Sequence, residues 1–270
     1  MRGFHVFSMK KVFKNVVGRF IKKKTEEWKG EMMYEYFIGA LIFGVPWLFL
    51  FIRRKDLRWP MLWTSIVYIA FSGVIVAVWS LLSKLIYLGE PIVPSYWYPP
   101  TFFNLGTLTG FAGIEDILWL FFIGGIATCI YEYLSNSRIV VRRSYKIHGV
   151  AFAAAFVSFF IFHYFFPVNL IYGFIFSNIC GALVLCIERR DLIRHALLGG
   201  VAFLIVYVMA FLFVLIVFPD MVNNFYNIEN LSGIKILYIP IEEYLYAISF
   251  GLLWGPMYEY AHGWRCGYQR

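Results

Sequence analysis

Adjacent carboxylates occur twice at the head of long apolar runs in this chain. Glu115 and Asp116 begin the first run, and Glu242 and Glu243 begin the second. Because a charged side chain inside a bilayer costs about 2.5 kcal/mol or more, acids in such a setting indicate function. Carboxyl groups that converge away from water keep a shared proton at neutral pH, and a protonated carboxyl can act as a general acid. We therefore predict that at least one acid of each pair is catalytic and transfers protons to a substrate dissolved in lipid.

Both acid pairs are expected in the first turn of a helix. Pro240 suits this position because its missing N–H costs nothing there, and Gly113 holds the corresponding place in the first copy. A carboxylate at a helix N-terminus also interacts well with the helix dipole, which is the structural alternative to a reactive role. Because neighbouring residues point about 100° apart around a helix, one acid of each pair can face the bundle while the other contacts another element.

Aromatic residues follow both acid pairs, and four of them are the predicted substrate-binding residues. An aromatic face stabilises a nearby cation, so these rings suit a carbocation held away from water. Packing against lipid and neighbouring helices is the alternative for any single ring. The four residues are Trp119, Phe122, Tyr246 and Trp254.

A further acid lies 17 positions after the first acid of each pair. Glu132 and Glu259 each stand between two tyrosines. Tyrosine is enriched where a helix meets the membrane surface. We therefore interpret these two glutamates as structural anchors near the cytoplasmic ends of their helices.

The composition is that of a polytopic membrane protein. Hydrophobic residues make up 61% of the 270 residues and charged residues only 15%, and several apolar runs exceed the ~18 residues that cross a bilayer. The formal net charge of +8 is explained by basic cytoplasmic loops, without a nucleic-acid partner. The four cysteines show no metal-ligand spacing. The seven predicted spans are 36–52, 61–87, 113–134, 148–166, 170–187, 196–218 and 236–260.

Lysine and arginine concentrate in alternate loops and in the C-terminal tail, whereas the intervening loops carry only Lys235. Positive charge accumulates on the cytoplasmic side of membrane proteins, so the pattern predicts an external N-terminus and a cytoplasmic C-terminus. The basic amphipathic segment 1–34 opposes this orientation and is expected to lie on an anionic membrane surface. The basic loops are 53–60, 135–147 and 188–195.

The sequence also contains an internal repeat. Residues 52–57 (IRRKDL) match residues 187–192 (IERRDL), just as the two acid pairs match each other. Spans one to three thus correspond to spans five to seven, with the fourth as a linker, which predicts an all-α fold of two parallel three-helix units. Such repeats usually place a functional site at their interface. The predicted divisions are 1–34, 35–134, 135–169 and 170–270.

The duplicated motif resembles that of the membrane-integral, flavin-independent lycopene cyclases, which occur as two small subunits or as one fused chain. Residues 240–243 (PIEE) match the family's Pro-x-Glu-Glu/Asp pattern, and residues 113–116 (GIED) match it with glycine in place of proline. The segments 34–36 (YEY) and 54–57 (RKDL) also resemble that family. The likeness covers residues 35–134 and 170–260.

The resemblance implies that this protein is a carotenoid end-group cyclase. In that family an acid protonates a terminal double bond of a linear polyene such as lycopene, the cation closes a six-membered ring, and a base removes a proton. The resemblance implies that the catalytic residues for this proton transfer are Glu115, Asp116, Glu242 and Glu243, with donor and base not distinguished. The resemblance further implies a membrane setting and no cofactor, and the chain has no Gly-rich dinucleotide fingerprint. A small-molecule transporter is the alternative function, because some transporters share the layout of parallel three-helix repeats.

Overall fold

The computed structural model describes residues 34–86, 97–109, 112–140, 149–166 and 168–268. The predicted amphipathic segment 1–34 therefore lies almost wholly outside the described residues. Apolar helices dominate the fold, which confirms the predicted all-α class. They are α1 (Tyr34–Arg53), α2 (Arg58–Ile86), α3 (Ile114–Ser135), α4 (Val150–Phe165), α5 (Leu170–Glu188), α6 (Ile193–Val217), α7 (Ile241–Trp254) and α8 (Met257–His262).

Five of the helical segments are long and apolar enough to cross a membrane. Large apolar side chains cover their outer surfaces; Val45 is 68% exposed and Ile216 is 75% exposed. A helix that is apolar on all sides is expected where lipid replaces water. The pattern is that of an integral membrane protein. The five segments are Tyr34–Arg53, Lys55–Leu82, Ile114–Ser135, Leu170–Glu188 and Arg190–Val217.

The two remaining predicted spans are shorter in the structure than the sequence suggested. The fourth, α4, has 16 residues and is about 24 Å long, less than the ~30 Å hydrocarbon core. The seventh was predicted as one helix over 236–260 and that prediction was wrong. It begins only at Ile241 and is interrupted at Gly255–Pro256, where α7 gives way to α8. A proline inside a helix lacks the N–H donor and collides with the preceding turn, which explains the break.

Helix α7 lies at the centre of the described bundle. It packs against α3, α5 and α6. The two helices α7 and α6 approach closely at Gly251, where an added Cβ would lie 2.8 Å from the Cα of Gly200. Glycine at this crossing lets the two backbones approach each other directly. The second acid pair, in the first turn of α7, is buried.

Helices α3 and α8 end in matching ways. Each has a left-handed residue after its last turn, Asn136 (φ 48°) and Gly263 (φ 68°), as is common at helix C-termini. The strands that follow, β1 (Ser137–Val140) and β4 (Arg265–Tyr268), pair antiparallel. A second small hairpin, formed by β2 (Lys235–Ile236) and β3 (Ile239–Pro240), leads into α7.

Arginines from the loops that match in sequence hold these two helix ends. Arg54 donates to the carbonyl oxygens of Glu132 and Ser137, both at 2.6 Å, and Arg189 donates at 2.7 Å to the carbonyl of Trp264. Each arginine thus binds backbone at, or just beyond, the C-terminus of a helix. Each guanidinium also binds an aspartate two residues further on, Asp56 at 2.8 Å and Asp191 at 2.9 Å.

Candidate active site

Asp116 is held at the start of α3 by one side-chain donor and one backbone donor. The hydroxyl of Tyr36, in the first turns of α1, donates to Oδ1 of Asp116. The backbone N–H of Gly113 donates to Oδ2 at 2.7 Å. Because both oxygens accept a hydrogen bond, the carboxyl group has a fixed orientation.

Glu243 occupies the corresponding position at the start of α7. Tyr207, from the middle of α6, donates to Oε2 at 2.5 Å. Tyr226, from the segment that follows α6, donates to Oε1 at 2.9 Å. This carboxyl group is thus fixed by two phenol groups in a buried setting, since Glu243 is only 3% exposed.

Asp116 and Glu243 line the same cavity, which has a volume of about 290 Å³. Its wall is mainly apolar and aromatic, and includes the rings of Trp119 and Tyr246, stacked with centroids 6.1 Å apart and planes 19° apart. Trp97 closes part of the cavity from the segment before α3 and packs against Tyr226. Small-molecule pockets typically have a volume of roughly 300–1,000 Å³ and combine apolar walls with a few polar groups, as here.

The first acid of each pair is placed differently from the second. Glu115 and Glu242 are both fully buried and do not line the cavity. Each accepts a hydrogen bond of 2.8 Å from a backbone N–H of a preceding loop, that of Phe102 for Glu115 and that of Ser232 for Glu242. Tyr172 of α5 also donates to Glu242, at 2.7 Å. The two pairs are therefore divided in the same way: one acid holds a loop, and the other faces the cavity.

The four predicted substrate-binding residues are likewise divided. Trp119 and Tyr246 belong to the cavity wall. Phe122 lies outside it, beside Gly44 and Trp47. Trp254 is fully buried in the core, where its ring contacts Phe250 and neighbouring aromatic residues. It lies about two helical turns after Tyr246, on the same side of the helix. Helical spacing alone therefore could not predict that Tyr246 lines the cavity while Trp254 lies in the core.

Sequence reasoning missed the tyrosines that bind the two cavity acids. Tyr36, Tyr207 and Tyr226 were not predicted as site residues, although all three are buried beside the cavity. One signal was available for Tyr207, which is a hydroxyl-bearing residue in the middle of a long apolar span. A buried phenol usually forms a hydrogen bond, so a tyrosine at this position predicts an acceptor close to its hydroxyl group.

Glu132 and Glu259 form a separate buried cluster with His195. Both glutamates are 0% exposed and His195 is 3% exposed. Nε2 of His195 lies 3.3 Å from Oε1 of Glu132. One potential ligand atom from each of the three residues lies within 4.8 Å of the others, so this cluster could hold a metal ion. It is formed by the C-terminal part of α3 and the first turns of α6 and α8.

Comparison with known proteins identifies the family. The model of the lycopene cyclase family matches residues 26–134 and 169–261, which together make up most of the chain. No curated protein and no solved structure matches the chain. The resemblance inferred from the acid motifs is thereby confirmed, and the chain belongs to the lycopene cyclase family.

Proposed function

We propose that this protein cyclises an end group of a linear carotenoid in the membrane by acid–base catalysis. The observation that carries the proposal is that Asp116 and Glu243 face one mainly apolar cavity. Each comes from the second position of its acid pair, and each is oriented by buried tyrosines. An apolar pocket with two oriented carboxyl groups suits proton transfer to and from a hydrocarbon.

The proposed reaction is an isomerisation. One carboxyl group donates its proton to the terminal double bond of the polyene, which forms a C–H bond and leaves a tertiary carbocation. The π electrons of a double bond further along the chain attack that cation, and the new C–C bond closes a six-membered ring. The second carboxylate then removes a proton from a ring carbon, and the electrons of that C–H bond become the ring double bond. Because no electrons are gained or lost overall, the reaction needs no redox cofactor.

The aromatic wall of the cavity stabilises the carbocation that forms in this reaction. Trp119 and Tyr246 offer ring faces to the cavity, and a cation above an aromatic face gains about 0.5–2 kcal/mol. The same wall excludes water, which would otherwise capture the carbocation as an alcohol. At about 290 Å³ the cavity suits one end of a long polyene, with the remainder of the molecule in the surrounding lipid.

The arrangement of two parallel three-helix units, with its C-terminus in the cytoplasm, is part of the proposal. Matching acid pairs, matching arginine loops and matching helix ends support the repeat. In this arrangement Asp116 and Glu243 are equivalent residues of the two units that meet at one site. The distribution of lysine and arginine supports the orientation.

Expression in bacteria that accumulate lycopene tests the proposed function. The wild-type chain should convert the linear pigment into ring-bearing products, and Asp116→Asn and Glu243→Gln should each lower conversion about 100-fold or more, since general acid–base groups typically contribute 10²–10⁴-fold. Glu115→Gln and Glu242→Gln are the matched controls, because glutamine keeps an oxygen that accepts from the loop N–H. Pigment that stays linear while the wild-type protein is present in the membrane would refute cyclisation of lycopene, and is the result expected of a transporter.

A further inference from the structure

The cluster of Glu132, His195 and Glu259 consists of three buried residues whose side chains commonly bind metals. The three side chains come from different helices, α3, α6 and α8, that converge at one end of the bundle. Helix geometry separates the cluster from the cavity acids. Glu132 lies 16 residues after Asp116 on α3, which corresponds to roughly 24 Å along the helix axis. The proposed cyclisation does not use this cluster.

The distances suit a single ion. Ligand atoms bound to one Zn²⁺ lie about 2.0–2.2 Å from it and therefore roughly 3–3.5 Å from each other. The separation of 3.3 Å between His195 Nε2 and Glu132 Oε1 is already in this range. All three ligand atoms lie within 4.8 Å of one another, so a small rotation of a glutamate side chain completes the set. The ring of His195 stacks on Tyr131, with centroids 4.3 Å apart and planes 22° apart, which limits its rotation.

The charges of the cluster favour a cation. Two carboxylates within a few ångströms of each other, both without exposure to water, repel strongly in a medium of low dielectric constant. A divalent ion bound between the glutamates would neutralise both of them at once.

We propose that Glu132, His195 and Glu259 bind one divalent transition-metal ion that joins α3, α6 and α8. One imidazole and two carboxylates form a ligand set that suits Zn²⁺ and Mn²⁺, whereas Ca²⁺ and Mg²⁺ prefer oxygen ligands alone. The ion has a structural role: it joins the C-terminal part of α3 to the first turns of α6 and α8. The site does not depend on the proposed cyclase function.

Metal analysis of the purified chain tests the site. The full-length protein, with any purification tag removed, is dialysed against a weak chelator and then incubated with Zn²⁺ or Mn²⁺. After removal of excess ion, inductively coupled plasma mass spectrometry should find about one ion per chain, as a single structural site requires. His195→Ala and the double variant Glu132→Gln/Glu259→Gln should lower this content at least tenfold. His262→Ala, a partly buried histidine outside the cluster, should keep it.

A second readout uses the wild-type chain alone, since the variants alter buried groups. A strong chelator should lower the melting temperature of the wild-type protein in detergent, and Zn²⁺ should restore it, because a ligand that binds only the folded state stabilises it. Fewer than about 0.1 ions per wild-type chain after incubation with both metals would overturn the proposal. An equal metal content in wild type, His195→Ala and the double glutamine variant would overturn it as well.

Discussion

The hydroxyl group of Tyr207 donates a hydrogen bond of 2.5 Å to Oε2 of Glu243, and so connects the middle of α6 to the first turn of α7. The bond fixes which way this carboxyl group points into the cavity. A hydrogen bond to a charged group contributes about 1.5–3 kcal/mol, so we expect Tyr207→Phe to lower the cyclisation rate roughly 10–100-fold. The rate is measured as ring-bearing pigment formed per amount of protein in isolated membranes.

Tyr226→Phe is the matched comparison, because Tyr226 donates to the other oxygen of Glu243 at the longer distance of 2.9 Å. We expect a smaller loss of rate in this variant than in Tyr207→Phe. Both substitutions remove a single oxygen atom and keep the aromatic ring in place. Unchanged rates in both variants would show that the orientation of Glu243 does not limit the reaction.

Glu115 and Glu242 are expected to matter for stability rather than for rate. In Glu115→Ala and Glu242→Ala, the N–H groups of Phe102 and Ser232 lose their carboxylate acceptors, and such a hydrogen bond contributes about 0.5–1.5 kcal/mol. The melting temperature of the purified protein in detergent should fall in both variants. The corresponding glutamine variants should melt closer to wild type. A large loss of cyclisation by a glutamine variant with unchanged melting would contradict this division of roles.

The acid pairs show how far sequence reasoning reaches in this protein. The angle of about 100° between neighbouring residues predicted that the members of each pair would have different surroundings. The angle could not predict that the second acid of each pair, Asp116 or Glu243, would face the cavity. That outcome depends on which acid of the pair accepts hydrogen bonds from the N–H groups of a preceding loop. Those donors, at Phe102 and Ser232, lie 13 and 10 residues earlier in the chain and follow no periodic pattern.

Contacts between distant segments explain the other differences. Glu132 and Glu259 resemble interfacial anchors because each stands between two tyrosines, yet both are fully buried, and His195 from another helix lies 3.3 Å from Glu132. Tyr36 and Asp116 are 80 positions apart, so their hydrogen bond could not be read from local spacing. The break in the seventh helix is a different case, because Pro256 is visible in the sequence and a proline inside a helix interrupts it.

Gly113, which stands where the second motif has a proline, is required by its surroundings. A Cβ atom at this position would lie 2.6 Å from Cγ2 of Thr101 and 2.5 Å from Oε2 of Glu115. Its N–H also donates to Asp116, and proline has no such donor. We therefore expect Gly113→Ala to lower cyclisation and stability, and Gly113→Pro to lower both further. The N-cap residue of α4, Gly149, has open space around it, so Gly149→Ala is the control.

The arginines at the ends of α3 and α8 give a prediction that concerns the fold alone. Two nitrogen atoms of the Arg54 guanidinium group donate to Asp56, and the same group donates to two backbone carbonyl oxygens. Arg189 likewise binds an aspartate and the backbone. Lysine keeps the charge but cannot reproduce this geometry. We expect Arg54→Lys and Arg189→Lys to cost about 1–3 kcal/mol each, seen as a lower melting temperature. Arg190→Lys, at an exposed neighbouring position, should have little effect.

This loss of stability in Arg54→Lys should not depend on pH near neutrality. The hydrogen bond to Asp56 raises the pKa of Arg54 above its ordinary value. A group whose pKa is raised by folding contributes its full stabilisation below its unfolded pKa and loses it only when the pH rises through the folded pKa. For an arginine both values lie far above neutrality. The difference in melting temperature between wild type and Arg54→Lys should therefore be the same at pH 6 and pH 8, and a difference confined to one of them would mean that another titrating group carries the effect.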